Sequence, residues 1–351
     1  MKRTSAPDSN GRSPSAASIA QQLNISRAAV SYALNGKPGV SEETRRRIIN
    51  LARDYGIDTS NATRRDTTRT PLVGLVLADL ANPFYQELGV AFHQAAKNHD
   101  FNVILSHTGD TATDLATTVE MMVAHRVDGI ILTATQDGDA SIAQILRKAS
   151  IPYVQVSRKM PTVRATFVGI DNRAAAKEMA YHMASHGYQN FAIAIGPRQS
   201  SASNERHVGY LEGLIENDIY VPQQRIIRTE LGREGGRKAG AYLRSLPQLP
   251  EAILCGTDAI ARGIIHDFAE HGIRVPHDVA LSGFDGITNF GVPDSELTTI
   301  VQPIDEMAAQ AITYIDDLIH HRRICITDVI CPYTLRIGNS CRCPKPQGDN
   351  Q

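Results

Sequence analysis

Short apolar runs alternate with amphipathic segments from Pro71 almost to the end of the chain, and this alternation constrains the fold more than any other feature of the sequence. The runs have the length of β-strands, and the segments between them repeat their apolar residues at three- and four-residue steps, as α-helices do. Strands and helices in alternation predict parallel sheets joined by right-handed crossovers. Because one sheet of so many strands would be unusually large, we expect an α/β core of two doubly wound lobes.

The strands predicted from this pattern are Val73–Ala78, Asn102–Ser106, Gly129–Thr133, Tyr153–Ser157, Thr166–Ile170, Phe191–Ile195, Ala252–Cys255, Val279–Phe284 and Asp328–Tyr333. The predicted domains are a disordered leader over residues 1–14, a helical domain over 15–57, a hinge or linker over 58–70, a two-lobed core over 71–340 and a flexible tail over 341–351. The leader and the linker are predicted because they contain almost no large apolar side chains.

The helical domain has the spacing of a helix-turn-helix between Ser15 and Asn35. Ala20 is small where two helices would cross, Asn24 tolerates the left-handed conformation of the turn, and Val30 is the buried contact of the second helix. Ser26 is a suitable N-cap for that second helix. The spacing therefore predicts a small all-α head of the helix-turn-helix type.

The charge of the chain is divided unevenly, although its net value is only −1. Residues 1–70 carry twelve Lys and Arg against six Asp and Glu, which gives +6, and the remainder carries −7. A basic segment of this size suits a phosphate-bearing partner. Three short helices could also be a plain bundle or a dimerisation cap, but the local charge favours double-stranded DNA.

In a helix-turn-helix, the second helix enters the major groove and presents its early and outward residues to the base edges. Here those residues are Arg27, Ala28 and Tyr32. The full set predicted to bind DNA is Ser26, Arg27, Ala28, Ser31, Tyr32, Asn35 and Ser41, with Arg64 and Arg65 of the linker. Ser41 is also the expected N-cap of the third helix.

Several classes of protein are disfavoured by what the sequence lacks. No run approaches the roughly 18 apolar residues of a membrane span and no export signal precedes the head, so a cytoplasmic location without membrane contact is expected. No catalytic residues are predicted, because the sequence shows no nucleophile elbow, phosphate loop or His-Glu-x-x-His motif. Cys341 and Cys343 could form half of a metal site, but no second Cys or His pair stands nearby at zinc spacing, so no metal is predicted.

Seven strings in the same order resemble the lactose/galactose-repressor (LacI/GalR) family of bacterial transcriptional regulators. They are Ile25–Arg47, Asn82–Tyr85, Arg126–Leu132, Val168–Asn172, Thr257–Asp258, Ser282–Gly286 and Leu297–Pro303. The resemblance implies a homodimer whose paired heads bind a pseudo-palindromic operator, and a core similar to the periplasmic sugar-binding proteins. It implies a repressor controlled allosterically by a small molecule in the cleft between the lobes, with no cofactor. The alternative is a cytoplasmic small-molecule-binding protein or an α/β enzyme with an accessory basic domain.

The resemblance also places an effector site, at Arg206 and Asp285. An arginine fork opposite a carboxylate suits neighbouring hydroxyls, which favours a sugar or polyol. Phe84 and Tyr85 would form an aromatic wall, with ordinary packing at a helix start as the alternative. Thr257 would add a hydroxyl, with capping of the next helix as at least part of its role.

Other positions depart from the family pattern. Ser200 and Ala202 stand where purine-responsive members use Arg and Thr, so a purine effector is disfavoured. Tyr32 stands where many members have Arg, and Arg65 or Asp66 where a leucine wedges into the minor groove. The operator sequence therefore cannot be carried over from the family, and weaker kinking of the DNA is expected.

Overall fold

The computed structural model describes residues 15–35, 37, 39–57, 59, 70–134, 140–160, 163–287, 297–322 and 325–342. The predicted leader and most of the predicted linker, with Arg64 and Arg65, lie outside these ranges. Contacts divide the chain into two units, Met1–Thr70 and Pro71–Gln351. No helix within the described ranges combines the length and the apolar character that crossing a bilayer requires.

The first unit contains α1 (Ala16–Gln22), α2 (Arg27–Leu34) and α3 (Glu42–Asp54). Its small core includes Ile19, Val30 and Ile48, all fully buried. Asn24 has φ +52°, the left-handed conformation predicted for the turn. Ser26 accepts a hydrogen bond from the amide of Ala29 at 3.1 Å, as predicted for the N-cap of α2.

The second unit contains twelve strands and eight helices within the described residues. The strands are β1 (Leu72–Leu77), β2 (Asn102–His107), β3 (Gly129–Leu132), β4 (Tyr153–Val156), β5 (Phe167–Gly169), β6 (Phe191–Ile195), β7 (Ile226–Arg228), β8 (Ala252–Cys255), β9 (Ala280–Asp285), β10 (Thr298–Val301), β11 (Asp328–Ile330) and β12 (Thr334–Arg336). The helices are α4 (Pro83–Lys97), α5 (Ala112–Ala124), α6 (Ala140–Ala149), α7 (Asn172–Ala184), α8 (Ser201–Ile215), α9 (Arg233–Ser245), α10 (Asp258–Glu270) and α11 (Ile304–Ile319).

The strands form two six-stranded sheets, which confirms the predicted core of two doubly wound lobes. The first has the order β11-β5-β4-β3-β1-β2 and is parallel throughout. The second has the order β12-β10-β9-β8-β6-β7 and is parallel except for β12, which runs antiparallel to β10. In each sheet the first strand in sequence lies between the second and the third, and ligands of such sheets bind beyond the carboxyl ends at this point.

The chain passes between the two lobes three times. It leaves the first sheet after β5, returns to it after β10 through Gln302, and enters the second sheet again between β11 and β12. α11 follows the second passage and packs on β3, β4 and α4 of the first lobe. A change in the arrangement of the lobes would therefore alter the contacts of residues in these connecting segments.

The central strands are buried on both faces, which explains why the sequence predicted them well. Every residue of β3, β6, β8 and β9 is buried. The sequence missed the three-residue strands β7 and β12, whose partly polar residues give no apolar run. It also missed β10, which contributes two threonines before its two apolar residues.

Cys341, the first residue of the predicted flexible tail, belongs to the folded core. Cys341 is fully buried and closes a 3-10 turn over Asn339–Cys341. The turn is fixed by Ser340, whose hydroxyl donates to the carbonyl of Leu281 at 2.6 Å and accepts from the amide of Thr298 at 3.0 Å. The folded core thus includes Cys341, because its turn is hydrogen-bonded to β9 and β10.

Candidate functional site

The carboxyl ends of the strands of both lobes open into one recess of about 270 Å³, part of it continuous with solvent. Its lining residues are Asn82, Phe84, Tyr85, Ser157, Arg158, Ser200, Ala202, Ser203, Arg206, Leu231, Thr257 and Asp285. All five residues that the sequence assigned to an effector site are among them. This is the position at which doubly wound folds bind ligands.

Asp285 ends β9 and is held by side chains from two directions. It is 3% exposed, and its Oδ1 accepts hydrogen bonds from Arg206 at 3.2 Å and from Gln302 at 2.8 Å. Burial raises the pKa of Asp285 to about 6, although Arg206 and Gln302 act to lower it. Its φ of +120° is one that L-residues rarely adopt, so the surrounding contacts must impose it. Such strain is typical of ligand sites.

Arg206, on α8, is fixed by four contacts. Its Nε donates to Asn172 at 2.8 Å, and its Nη1 donates to the carbonyl of Gly256 at 2.6 Å as well as to Asp285. The guanidinium carbon lies 3.7 Å from the ring centroid of Phe284. Nη2 donates to no residue within the described ranges. Because the other contacts hold the guanidinium in place, Nη2 is a fixed donor for a ligand.

The first lobe contributes a second buried arginine, which the sequence did not assign to the site. Arg158 is 2% exposed and follows Ser157, whose φ is +65°. Both of its terminal nitrogens donate to the carboxylate of Asp110, one of them at 3.1 Å. Its guanidinium carbon lies 6.0 Å from the ring centroid of Tyr85. A charged residue directly after a predicted buried strand was the signal that could have identified Arg158.

The aromatic pair serves both the recess and the core. Phe84 and Tyr85 are 3% and 4% exposed, and their ring centroids lie 5.1 Å apart in an edge-to-face arrangement. They begin α4, which Asn82 caps by accepting from the amide of Phe84 at 3.1 Å. Burial raises the pKa of the Tyr85 hydroxyl, with Arg158 opposing the shift. The packing predicted for a helix start is therefore confirmed for both rings. Because both rings also line the recess, their role as an aromatic wall for a ligand stays a prediction.

Thr257 lines the recess, but its hydroxyl is already engaged. It donates to the carbonyl of Leu231 at 3.0 Å and accepts from the amide of Ile260 at 3.1 Å. The capping role predicted for Thr257 is confirmed, and only one lone pair is left for a ligand. Ser200 and Ala202 also line the recess, at the start of α8.

In the first unit, the residues predicted to contact bases lie on the exposed side of α2. Arg27, Ala28, Ser31 and Tyr32 are all exposed. Asn35 is exposed as well, although its amide donates to the carbonyl of Ser31 at 2.8 Å. Their spacing places these side chains on one exposed side of α2, as groove contact requires.

Ser41 is placed at the start of α3, where it was expected. Its hydroxyl accepts from the amide of Thr44 at 3.3 Å, which confirms the predicted capping role. The hydroxyl also lies 2.8 Å from that of Thr44. Ser41 is exposed, so a phosphate could still reach it.

The basic cluster of α3 divides into one structural residue and two exposed ones. Arg45 is 4% exposed and donates to the carbonyls of Ala33 at 3.2 Å and Lys37 at 2.6 Å. It therefore satisfies the free carbonyls at the end of α2 and is not available to phosphate. Arg46 and Arg47 are exposed.

Comparisons with known proteins agree with this geometry. Residues 70–338 match the family described as periplasmic binding proteins and sugar binding domain of LacI family. The HTH-type transcriptional repressor CytR of Escherichia coli strain K12 is 29% identical over 303 residues, covering 85% of this chain and 88% of the repressor. Catabolite control protein A of Priestia megaterium is 26% identical over 325 residues, covering 92% and 97%. The solved transcriptional regulator CelR–cellobiose complex has a TM-score of 0.70 at 23% identity, covering 93% of this chain and 99% of that one.

Proposed function

The chain belongs to the family of periplasmic binding proteins and LacI-family sugar-binding domains, and from this premise we propose that it is a cytoplasmic, allosterically controlled transcriptional repressor. Its helix-turn-helix head binds operator DNA, and its core binds a sugar or polyol. The observation that carries the proposal is that one chain has two sites. The first is the exposed side of α2, and the second is the recess in which Arg206 donates to the buried carboxylate of Asp285.

A sugar or polyol suits the polar groups of the recess. The Nη2 of Arg206 and the Oδ2 of Asp285 make no hydrogen bond to other residues in the ranges that the structure describes, and the two side chains are held together. A donor next to an acceptor matches two neighbouring hydroxyls, each of which can donate and accept. Phe84 and Tyr85 offer apolar contact for the face of a ring. The solved CelR structure contains a sugar, cellobiose, which supports the same ligand class here.

The connecting segments give the ligand a means of changing the lobe arrangement. Asn172, which follows the first passage between lobes, accepts from Arg206, and Gln302, on the second passage, donates to Asp285. A ligand that competes for these two side chains alters the contacts between site and connection. Its differential affinity for two lobe arrangements is then what shifts operator binding.

At the DNA end, we propose that a homodimer places two heads on the half-sites of a pseudo-palindromic operator. Arg27, Ala28 and Tyr32 would contact base edges, and Arg64 and Arg65 of the linker would contact phosphates without the usual leucine wedge. An enzyme or a simple binding protein is not favoured, because neither gives a role to the basic segment over residues 1–70 or to the exposed side of α2.

The sugar assignment is tested by a thermal-shift screen of mono- and disaccharides and polyols on the full chain. We expect at least one to raise Tm for the wild type and to have no effect on Asp285→Asn, which keeps the size of the side chain but removes its charge. The matched control is Asp278→Asn, a carboxylate that pairs with Arg274 at 2.9 Å outside the recess. A screen without any shift, or an equal shift in Asp285→Asn, rejects the assignment.

DNA binding is tested by gel shift with the upstream region of the gene at several salt concentrations. The logarithm of the binding constant should fall linearly with the logarithm of salt, because several phosphates are neutralised. Arg27→Ala should weaken binding, whereas Arg147→Ala, which changes an exposed arginine on α6 of the core, should not. A response that does not depend on salt contradicts the proposal.

A further inference from the structure

Three potential metal ligands from distant parts of the sequence meet on the second lobe, away from the recess. One ring nitrogen each of His182 and His186 and the sulfur of Cys341 all lie within 4.8 Å of one another. The two histidines are half-buried and the cysteine is fully buried. From these positions we propose that His182, His186 and Cys341 bind one zinc ion.

The two histidines are presented together by the end of α7. His182 lies in the last turn of the helix, and His186 follows four residues later, beyond the C-cap Ser185. Their ring centroids are 5.0 Å apart with the ring planes nearly perpendicular, at 86°. The hydroxyl of Ser185 donates to the carbonyl of His182 at 2.6 Å, which stabilises this helix end. A spacing of four residues at a helix end is one that metal-binding histidines use.

Cys341 is fixed independently of the histidines. It lies in the turn that Ser340 joins to β9 and β10, and its carbonyl accepts from the hydroxyl of Tyr188 at 3.2 Å. The ring of Tyr188 in turn lies 5.9 Å from that of His186. Tyr188 therefore contacts both arms of the site, and rigid elements position all three ligands.

Two imidazoles and one thiolate are a ligand set that zinc prefers, and a water molecule can complete the tetrahedron. Bond lengths of about 2.0–2.3 Å place the ligand atoms of such a site about 3.3–3.7 Å apart. The ligand atoms, which lie within 4.8 Å of one another, would have to approach by about 1 Å to reach this spacing. The bound ion would join α7 to the last turn of the core, and α7 is the helix that begins at Asn172, the partner of Arg206.

The sequence did not predict this site because the histidine pair is far from the cysteine along the chain. Zinc ligands are identified in sequence by short spacings, and Cys341 has no second pair nearby at such a spacing. The packing of α7 against the second sheet brings the histidine pair next to Cys341.

The test is a zinc titration of the full chain, stripped with chelator under reducing conditions and titrated in competition with a chromogenic chelator. We expect one equivalent of zinc per chain and, with Co²⁺ as probe, the thiolate charge-transfer and visible bands of a tetrahedral sulfur-containing site. His182→Gln and Cys341→Ser should each lower the zinc affinity at least tenfold. The matched controls are His266→Gln and Cys325→Ser, which change exposed residues elsewhere in the core and should bind as the wild type does.

The half-buried His182 keeps the test decisive if Cys341→Ser fails to fold, since His182→Gln removes no fully buried group. Zinc should also raise Tm of the wild type and of both controls, but not of His182→Gln. A wild type that binds no zinc tighter than His182→Gln, or a Co²⁺ spectrum without thiolate bands, overturns the proposal.

Discussion

At the scale of single residues, the buried carboxylate of Asp285 links the chemistry of the recess to the stability of the core. Burial raises its pKa to about 6, above the 3.8 of an unperturbed aspartate. The folded chain therefore holds this proton to a higher pH than the unfolded chain does. The stability that it contributes is complete below about pH 4 and is lost as the pH rises through 6.

We predict that Asp285→Asn reduces the fall in unfolding free energy between pH 5 and pH 7 by about 1 kcal/mol, because an amide cannot ionise. Urea denaturation at both pH values measures this difference. Asp278→Asn is the control, since Arg274 lowers the pKa of Asp278 to about 2 and the group does not titrate in this range. An unchanged pH dependence in Asp285→Asn would mean that the carboxylate titrates at its ordinary pKa.

The two buried arginines show which residue roles a sequence can and cannot indicate. Arg206 was identified through the family pattern, and its place beside Asp285 is as expected. Arg158 and its partner Asp110 were not identified, because 48 residues separate them in sequence and they follow two strands, β4 and β2, that are not neighbours in the sheet. The sequence thus offers a signal for Arg158 alone, as a charged residue after a buried strand, and none for its pairing with Asp110.

At the scale of elements, the C-terminus of α2 depends on an arginine of α3. Arg45 donates to carbonyls at this helix end, whereas its neighbour Arg46 is exposed. Hydrogen bonds from a charged donor contribute roughly 1.5–3 kcal/mol, so Arg45→Ala should destabilise the head by about that amount. Substitution of the exposed Arg46 should affect only the contact with DNA phosphate and not the stability of the head.

We therefore predict that the two substitutions separate in a gel shift over a range of salt. Arg45→Ala should lower operator affinity with little change in the salt slope, because the head loses stability and no phosphate contact is removed. Arg46→Ala should leave the melting of the head unchanged and reduce the slope by about one. The assignment is wrong if Arg45→Ala lowers the slope and leaves the stability intact.

Elements with continuous apolar runs could be predicted from the sequence, and short or polar ones could not. β6 and β8 were predicted to the residue, since strands buried on both faces are apolar throughout. β10 was missed, although it is fully inside the second sheet at Thr298 and Thr299, because buried threonines look like a loop. Hydrogen bonds from Thr299 to Asp258 at 2.7 Å satisfy the hydroxyl there.

The contact between α7 and α8 gives a prediction at the same scale. A Cβ added at Gly209 of α8 would lie 2.2 Å from the carbonyl oxygen of Arg173 on α7, and this backbone cannot yield without moving a helix. Gly209→Ala should cost at least 1–3 kcal/mol and displace Arg206, one turn earlier on α8, so that the sugar-induced shift is lost. Gly232→Ala, where nothing lies within 4 Å, is the control. Equal Tm values for the two variants would show that the helices can separate.

At the scale of the whole molecule, the net charge of −1 is the sum of a +6 segment and a −7 remainder. The basic segment ends at Thr70, the same residue at which the contacts divide the chain. Two sites with different chemistry on separate units can influence each other only through a free energy of coupling. The segments that connect the lobes offer one route for this coupling, because Gln302 on the second passage donates to Asp285 in the recess.

Reciprocity makes this coupling measurable from both ends. If the sugar that gives the largest thermal shift changes the operator Kd by some factor, the operator must change the sugar Kd by the same factor. Gln302→Met removes the hydrogen bond from the connecting segment to Asp285 while retaining the other bond, from Arg206. We predict that the coupling factor in Gln302→Met falls toward one and that sugar binding persists, as measured by calorimetry with and without operator duplex. Gln223→Met, at an exposed glutamine, should keep the wild-type factor. A coupling factor in Gln302→Met equal to that of the wild type would place the transmission elsewhere in the core.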